Sequence, residues 1–223
     1  MLNLWFFLAV SSMAVNWLAV WFGWKSANYI SKPAIILALL GWFFSTVGFS
    51  FPALWFGIGL SFALLGDTLL MFKGKTFVFG MAAFMLTHAA YILGFNQTLP
   101  IITSALSATA LSAFLLWTFI FISLRRSALH NPEYRKMEVP LIVYNLLIVV
   151  MVISALITHF RVGWPPIANG LVSCGAMLFL FSDALLAYDR FIHPMPSARL
   201  WKRVTYQLGQ LAIIAGVLLT FSA

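Results

Sequence analysis

Charged residues are scarce in this 223-residue chain, because Asp, Glu, Lys and Arg together make up only 8% of it. Soluble domains usually carry about a quarter of their residues as charged side chains. The composition therefore excludes an ordinary soluble globular protein and a disordered chain. The single cysteine, Cys174, excludes a framework of disulfide bonds within the chain. Hydrophobic residues make up 63% of the sequence, which is typical of a polytopic membrane protein.

Eight apolar stretches are long enough to cross a hydrocarbon core, for which a helix needs about 20 residues. Backbone polar groups in lipid must bond within their own segment, so we expect each stretch to be an α-helix. The sequence therefore predicts an all-α, polytopic membrane bundle of eight transmembrane helices, forming a single transmembrane domain over 1–223. The predicted spans are 3–23, 33–51, 53–72, 76–95, 99–124, 139–160, 165–188 and 203–221.

The basic residues predict the orientation of this bundle. All but one of the thirteen Lys and Arg residues lie in the loops after spans one, three, five and seven or, in the case of Arg203, border such a loop, and Arg161 is the exception. Because cytoplasmic loops are enriched in Lys and Arg, we expect these odd loops to be cytoplasmic and both termini to lie on the opposite face. The chain is thus predicted to be an integral protein of a bacterial inner membrane or an endoplasmic reticulum type membrane. The net charge of +8 then reflects topology and attraction to anionic membrane lipids, and predicts no nucleic-acid binding.

Two of the five acidic residues, Asp67 and Asp183, lie inside apolar spans, whereas Glu133, Glu138 and Asp189 lie in loops or at a span end. An ionisable group at membrane depth costs several kcal/mol unless it faces the bundle interior, water or a partner. Asp67 and Asp183 each lie roughly 10 Å inside the predicted cytoplasmic boundary, given a rise of about 1.5 Å per residue. We therefore expect both carboxyl groups to face one cavity, although a structural hydrogen-bonding role for each remains the alternative.

The surroundings of the two aspartates resemble one another. Gly59 precedes Asp67 by the same spacing at which Gly175 precedes Asp183, and a Leu-Leu pair follows each Asp after one intervening residue. The next spans echo more faintly, with His88-Ala-Ala-Tyr-Ile in span four against Gln210-Leu-Ala-Ile-Ile in span eight. These matches predict a parallel internal repeat in which helices 3–4 correspond to helices 7–8, as some transporter folds have.

The sequence favours neither a metal site nor a bound cofactor. The four histidines include no His-Glu-x-x-His pair, so no zinc hydrolase is indicated, and we predict no metal and no cofactor. A proton-coupled transporter of a small molecule or a lipid is the main alternative to an enzyme, since paired aspartates in membranes also serve proton relays. Transport requires polar groups on the far side, for which Arg161 and Asn169 are the candidates.

The order and spacing of several motifs are similar to those of the YhhN-type lysoplasmalogenase family of integral membrane proteins. The matching residues are Leu65-Gly66-Asp67, His88 with Tyr91, Pro140, Tyr144 and Met151, Gly175 to Asp183, and Tyr206 with Gln210. The resemblance covers nearly the whole chain. It implies a hydrolase that cleaves the vinyl ether bond of lysoplasmalogens to a fatty aldehyde and a glycerophospho-base, with a lysophospholipid as substrate. It also implies that Asp67 and Asp183 are the active-site pair.

Acid catalysis suits this reaction, because a vinyl ether hydrolyses after a proton reaches its β-carbon and an oxocarbenium ion forms. We expect one Asp to be the general acid and the other to stabilise the cation and to act as general base. Polar side chains at compatible positions are predicted to orient the pair, the substrate or the water: His88, Asn145, Ser182, Tyr206 and Gln210. Lys73 and Arg190 are candidates for binding the lipid phosphate, with plain topology charges as the alternative.

Overall fold

The computed structural model describes residues 2–72 and 76–222, which form α-helices joined by short connections, with no strand in those ranges. One 3₁₀ turn, Thr158–Phe160, follows the seventh helix. The helices are α1 (Leu4–Trp21), α2 (Lys25–Val47), α3 (Leu54–Leu69), α4 (Thr76–Phe95), α5 (Ser104–Ala128), α6 (Pro132–Lys136), α7 (Glu138–Ile157), α8 (Pro166–Phe191) and α9 (Ala198–Phe221).

Within the described ranges, seven of these helices are long and apolar enough to cross a membrane. The prediction of an all-helical membrane protein is confirmed, while the count of eight crossings stays a prediction. The difference lies in α3, which has 16 residues and is shorter than a usual span. The predicted span 76–95 coincides with α4.

The helix that contains the second predicted span begins before residue 33, where that span was predicted to start. The helix α2 begins at Lys25 and continues through Pro33 without interruption. The apolar stretch alone misses this first part because it includes Lys25 and Lys32. As a consequence, Lys32 lies within a helix of the bundle rather than in a loop.

The packing order of the helices describes a ring. Consecutive contacts run from α1 through α2, α3, α4, α7, α8 and α9, and α9 returns to contact both α1 and α2. The helix α5 lies outside this ring, where it packs on α7 and α8 and buries only Ala128. Apart from Lys73, which lies outside the described residues, the predicted site residues therefore come from the ring, while α5 covers one side of it.

Glycines set the closest approach between the helices that carry the aspartates and their neighbours. A Cβ atom on Gly175 of α8 would lie 2.6 Å from the carbonyl oxygen of Gly209 on α9. A Cβ atom on Gly66 of α3 would similarly lie 3.2 Å from the carbonyl oxygen of Gly80 on α4. Small residues at such crossings let membrane helices pack backbone to backbone. The internal repeat nevertheless stays a prediction.

The three acidic residues outside the apolar spans form ion pairs at the basic end of the bundle. Asp189 binds Lys202 at 2.7 Å, and Glu133 binds Arg190 at 2.5 Å. Glu138 pairs with Arg125. These pairs connect α5 with α7, α6 with α8, and α8 with α9 at one end of the bundle, so we infer that their role is structural.

Candidate active site

The two intramembrane aspartates line one cavity of about 1440 Å³. Asp67 enters it from the last turn of α3, and Asp183 enters it from the last third of α8. Most of the remaining lining is aliphatic or aromatic and comes from α4, α5, α7 and α8. Two carboxyl groups thus share a largely apolar chamber inside the bundle.

Asp67 is held by a cation and a hydroxyl group. Its Oδ1 lies 2.9 Å from Nζ of Lys32, which also donates to the backbone carbonyl of Asp67 at 2.9 Å. The Tyr206 hydroxyl donates to Oδ2 of Asp67 at 2.9 Å. Both carboxylate oxygens therefore have fixed partners, and the adjacent ammonium group compensates a negative charge on Asp67.

Asp183 has different neighbours. The Tyr144 hydroxyl of α7 donates to its Oδ2, and His88 Nε2 lies 3.9 Å from the same oxygen. Its Oδ1 accepts no hydrogen bond from any residue in the described ranges. The Asp183 side chain is 17% exposed, compared with 5% for Asp67. Asp183 is therefore the carboxyl group that a molecule in the cavity can reach more easily.

Two of the predicted supporting residues, Tyr206 and Gln210, belong to one hydrogen-bonded chain that ends at Asp67. Tyr91 donates to Oε1 of Gln210 at 2.7 Å, and Nε2 of Gln210 contacts the Tyr206 hydroxyl at 3.5 Å. Tyr206 then donates to Asp67. These hydrogen bonds join α4, α9 and α3 and fix the orientation of Asp67. Tyr206 lines the cavity, whereas Tyr91 and Gln210 do not.

His88 lies on the Asp183 side and is fully buried. Its Nε2 is 3.3 Å from the Tyr144 hydroxyl, and its Nδ1 has no partner among the described residues. The Phe179 ring packs edge-on against both His88 and Tyr206, at centroid distances of 4.9 and 5.1 Å. The Phe179 ring thus separates His88, which lies near Asp183, from Tyr206, which binds Asp67.

The other predicted site residues do not contact either carboxyl group. Asn145 lines the cavity but donates to the carbonyl of Leu141 in its own helix. Ser182 lines the cavity and donates to the carbonyl of Lys202 at 2.9 Å, which ties α8 to α9. The Arg190 guanidinium pairs with Glu133 and lies 3.6 Å above the Phe77 ring centroid, outside the cavity lining. Lys73 lies outside the described residues.

The far-side residues on which the transport alternative depends are buried but do not line the cavity. Arg161 donates to Asn96 at 2.5 Å, and Asn169 donates to the carbonyl of Trp164 at 3.3 Å. Arg161 follows the last residue of the predicted span 139–160, and burial lowers the pKa of its guanidinium group. Within 2–72 and 76–222, the cavity lining does not include either residue.

A comparison with protein families shows where this arrangement belongs. The model of the YhhN family matches residues 27–217, a range that includes Lys32, both aspartates and all of their partners. The chain belongs to the YhhN family. The family resemblance of the sequence is thereby confirmed.

Three mammalian proteins named lysoplasmalogenase are similar to this chain over most of their length. Lysoplasmalogenase TMEM86B of Rattus norvegicus is 30% identical over 200 residues, which cover 90% of this chain and 73% of the rat protein. The Mus musculus protein of the same name is 30% identical over 215 residues, covering 96% and 84%. The Homo sapiens protein of that name is 31% identical over 195 residues, covering 87% and 76%. No solved structure matches the chain significantly.

Sequence reasoning on this YhhN chain missed Lys32 as a site residue. The sequence places Lys32 in the first cytoplasmic loop among the topology charges, yet Lys32 is buried on α2 and pairs with Asp67. The signal was available, since a carboxylate at membrane depth requires a partner. Tyr144 is indicated only by the family resemblance, because a tyrosine in an apolar span does not by itself indicate a functional site.

A metal centre would need several ligands close together. In the part of the chain that the structure describes, no group of three or more His, Cys, Asp or Glu side chains is placed to hold a metal ion. The polar groups around Asp67 and Asp183 are instead hydroxyl groups, one ammonium group and one imidazole. These groups can position the two carboxyl groups and transfer protons.

Proposed function

We propose that this YhhN chain hydrolyses the vinyl ether bond of lysoplasmalogens, releasing a fatty aldehyde and a glycerophospho-base. The observation that carries the proposal is the unequal pair of carboxyl groups in one apolar cavity. Asp67 is paired with Lys32, whereas Asp183 pairs with no ammonium or guanidinium group among the residues that the structure describes. The relatives named lysoplasmalogenases, at about 30% identity over most of the chain, support the same substrate.

The reaction begins with transfer of a proton to the β-carbon of the vinyl ether, which converts the adjacent carbon and ether oxygen into an oxocarbenium ion. Water adds to the cationic carbon and loses a proton, giving a hemiacetal. The hemiacetal then collapses to the aldehyde and the glycerol hydroxyl. The site must therefore supply a proton, stabilise a cation, and take a proton from water.

Asp183 is suited to be the proton donor. Its Oδ1 is free of hydrogen bonds from the described residues, and its side chain is the more exposed of the two. Tyr144 fixes its other oxygen, so the free oxygen is presented in one orientation. After it has donated its proton, Asp183 is a carboxylate beside the oxocarbenium ion and can accept the proton that the attacking water loses. One residue thus acts first as acid and then as base.

Asp67 is suited to stabilise the cation rather than to transfer protons. Lys32 and Tyr206 occupy both of its oxygens, so a negative charge on it is held in place. A fixed carboxylate in an apolar cavity stabilises a developing cation without reorganisation. Glycoside hydrolysis uses paired carboxylates for a related oxocarbenium-like transition state. We therefore assign the base to Asp183 rather than to the second aspartate.

The shape of the cavity suits a lipid with one hydrocarbon chain. Its lining continues along α7 from Tyr144 to Leu156, which corresponds to about 18 Å of helix. Apolar residues of α5, among them Leu116 and Trp117, cover the same length from the other side. An alkenyl chain can lie in this part of the cavity while its vinyl ether end reaches the carboxyl groups.

The proposal predicts aldehyde release that depends on the double bond. Purified protein incubated with a lysoplasmalogen should release fatty aldehyde, while a 1-alkyl lysophospholipid of equal chain length should remain intact. The saturated ether is the matched control because only the vinyl group can accept a proton on carbon. Absence of aldehyde from the lysoplasmalogen over a range of pH and detergents would refute the proposed activity.

We also propose eight crossings, with α3 as a short one, a parallel relation between α3–α4 and α8–α9, and a cytoplasmic basic end. The position of α3 in the ring between two long apolar helices supports its crossing. In a Cys174→Ala background, Ser222→Cys should react in intact cells with a membrane-impermeant maleimide, and Ser197→Cys should not. The reverse pattern of labelling would overturn the orientation.

A further inference from the structure

The cavity holds more positive than negative side chains. Among the residues that the structure describes, its lining includes five Lys and Arg residues and two acidic residues, Asp67 and Asp183. Three of the cations have carboxylate partners: Lys32 pairs with Asp67, Lys202 with Asp189, and Arg125 with Glu138. The two that remain, Arg199 and Arg203, form no ion pair with residues in 2–72 or 76–222.

Arg203 is the more unusual of the two. Its Nη1 is buried and has no hydrogen-bond partner among the described residues. A buried guanidinium nitrogen without a partner carries a desolvation cost, which an anionic group in the cavity would offset. Arg199 lies one turn earlier on α9 with an exposed side chain, so the two guanidinium groups occupy the same face of that helix.

The distances of these arginines from Tyr206, the partner of Asp67, are similar to the distance between the ether oxygen and the phosphorus atom of a lysoplasmalogen. Arg203 lies three residues before Tyr206, the partner of Asp67, and Arg199 lies seven before it, so they are about 4.5 and 10.5 Å away along the helix. In a lysoplasmalogen, five bonds separate the ether oxygen from the phosphorus atom. At the roughly 1.2 Å of advance per bond seen in an extended chain, this path spans about 6 Å.

We propose that Arg203, assisted by Arg199, binds the headgroup phosphate of the lysophospholipid and thereby places the vinyl ether at the carboxyl groups. The inference rests on the proposed function for the identity of the lipid. It assigns phosphate recognition to α9 instead of Arg190, whose guanidinium is already paired with Glu133. A guanidinium fork suits phosphate because it donates two parallel hydrogen bonds.

Binding to ligands that cannot be hydrolysed tests this assignment. Purified protein in a neutral detergent is titrated calorimetrically with a 1-alkyl lysophospholipid, with the 1-alkylglycerol of the same chain, and with inorganic phosphate. The wild-type protein should bind the phospholipid about 10-fold or more tightly than the alkylglycerol, as expected for charge-assisted hydrogen bonds. Arg203→Gln should reduce this ratio towards one, and Arg199→Gln should reduce it about 3-fold, in keeping with a weaker hydrogen bond at an exposed side chain.

The matched control is Arg126→Gln, which removes one exposed positive charge that does not line the cavity and should preserve the wild-type ratio. A ratio that survives in Arg203→Gln, or in Arg199→Gln if the first variant does not fold, would overturn the proposal. Inorganic phosphate binding as tight as that of the phospholipid would overturn the lipid assignment. Because these titrations require no turnover, absence of aldehyde release would defeat the proposed function while leaving phosphate recognition measurable.

Discussion

Replacing Asp183 with asparagine is expected to reduce kcat for vinyl ether hydrolysis by about 10²–10⁴-fold, the usual contribution of a positioned acid or base. Asparagine keeps the shape of the side chain and can still accept from Tyr144, but it cannot deliver a proton to carbon. Because the headgroup contacts lie elsewhere, KM should change much less than kcat. Steady-state rates of aldehyde release from a lysoplasmalogen measure both parameters.

Glu133→Gln is the matched control for this variant. It removes one carboxyl group at the basic end, where Glu133 binds Arg190 outside the cavity, and it should retain wild-type kcat. A folded Asp183→Asn protein with full turnover would show that the proton comes from another group. An equal loss in Glu133→Gln would indicate damage to the bundle rather than to its chemistry.

The variant Lys32→Met is expected to lower the free energy of unfolding by about 3–5 kcal/mol, because removing one partner leaves the other charge buried and uncompensated. The remaining carboxylate would be Asp67, whose side chain is 5% exposed. Thermal or denaturant unfolding in detergent measures the change. Turnover should fall as well, since the ion pair with Lys32 fixes the orientation of Asp67.

A second replacement separates the stability of this pair from its function. The double variant Lys32→Met, Asp67→Leu replaces both charges with apolar side chains of similar volume, which is often neutral or stabilising. It should recover most of the lost stability and remain inactive. A double variant as unstable as Lys32→Met would mean that the single change acts through packing and not through the buried charge of Asp67.

Charge scarcity made much of this molecule predictable. In a chain so apolar, Asp67 and Asp183 stand out because ionisable groups at membrane depth need a reason, and the structure places both on one cavity. The helical nature of the spans follows from the need to satisfy backbone groups in lipid, and α4 has the predicted bounds. The two aspartates were therefore predictable because ionisable side chains are rare in an apolar sequence.

Features that depend on three-dimensional pairing were not predictable in the same way. Lys32 resembles any flanking topology charge until α2 is seen to begin at Lys25 and to carry it against Asp67. Likewise, the difference between the aspartates depends on which hydroxyl groups and cations other helices supply. The sequence predicts one general acid and one stabilising carboxylate without assigning the two roles, whereas packing gives Asp67 an ammonium partner and leaves Asp183 more exposed.

If this cavity delivers a proton to the β-carbon of a vinyl ether, the isotope content of the released aldehyde will record that step. Hydrolysis of a lysoplasmalogen by purified protein in D₂O, with immediate reduction of the aldehyde to the alcohol by borohydride, fixes the label for mass spectrometry. Protonation at the β-carbon places one deuterium on the second carbon of the hydrocarbon chain. Aldehyde without deuterium at that carbon would show that the bond breaks by another route and that the cavity does not protonate the vinyl ether.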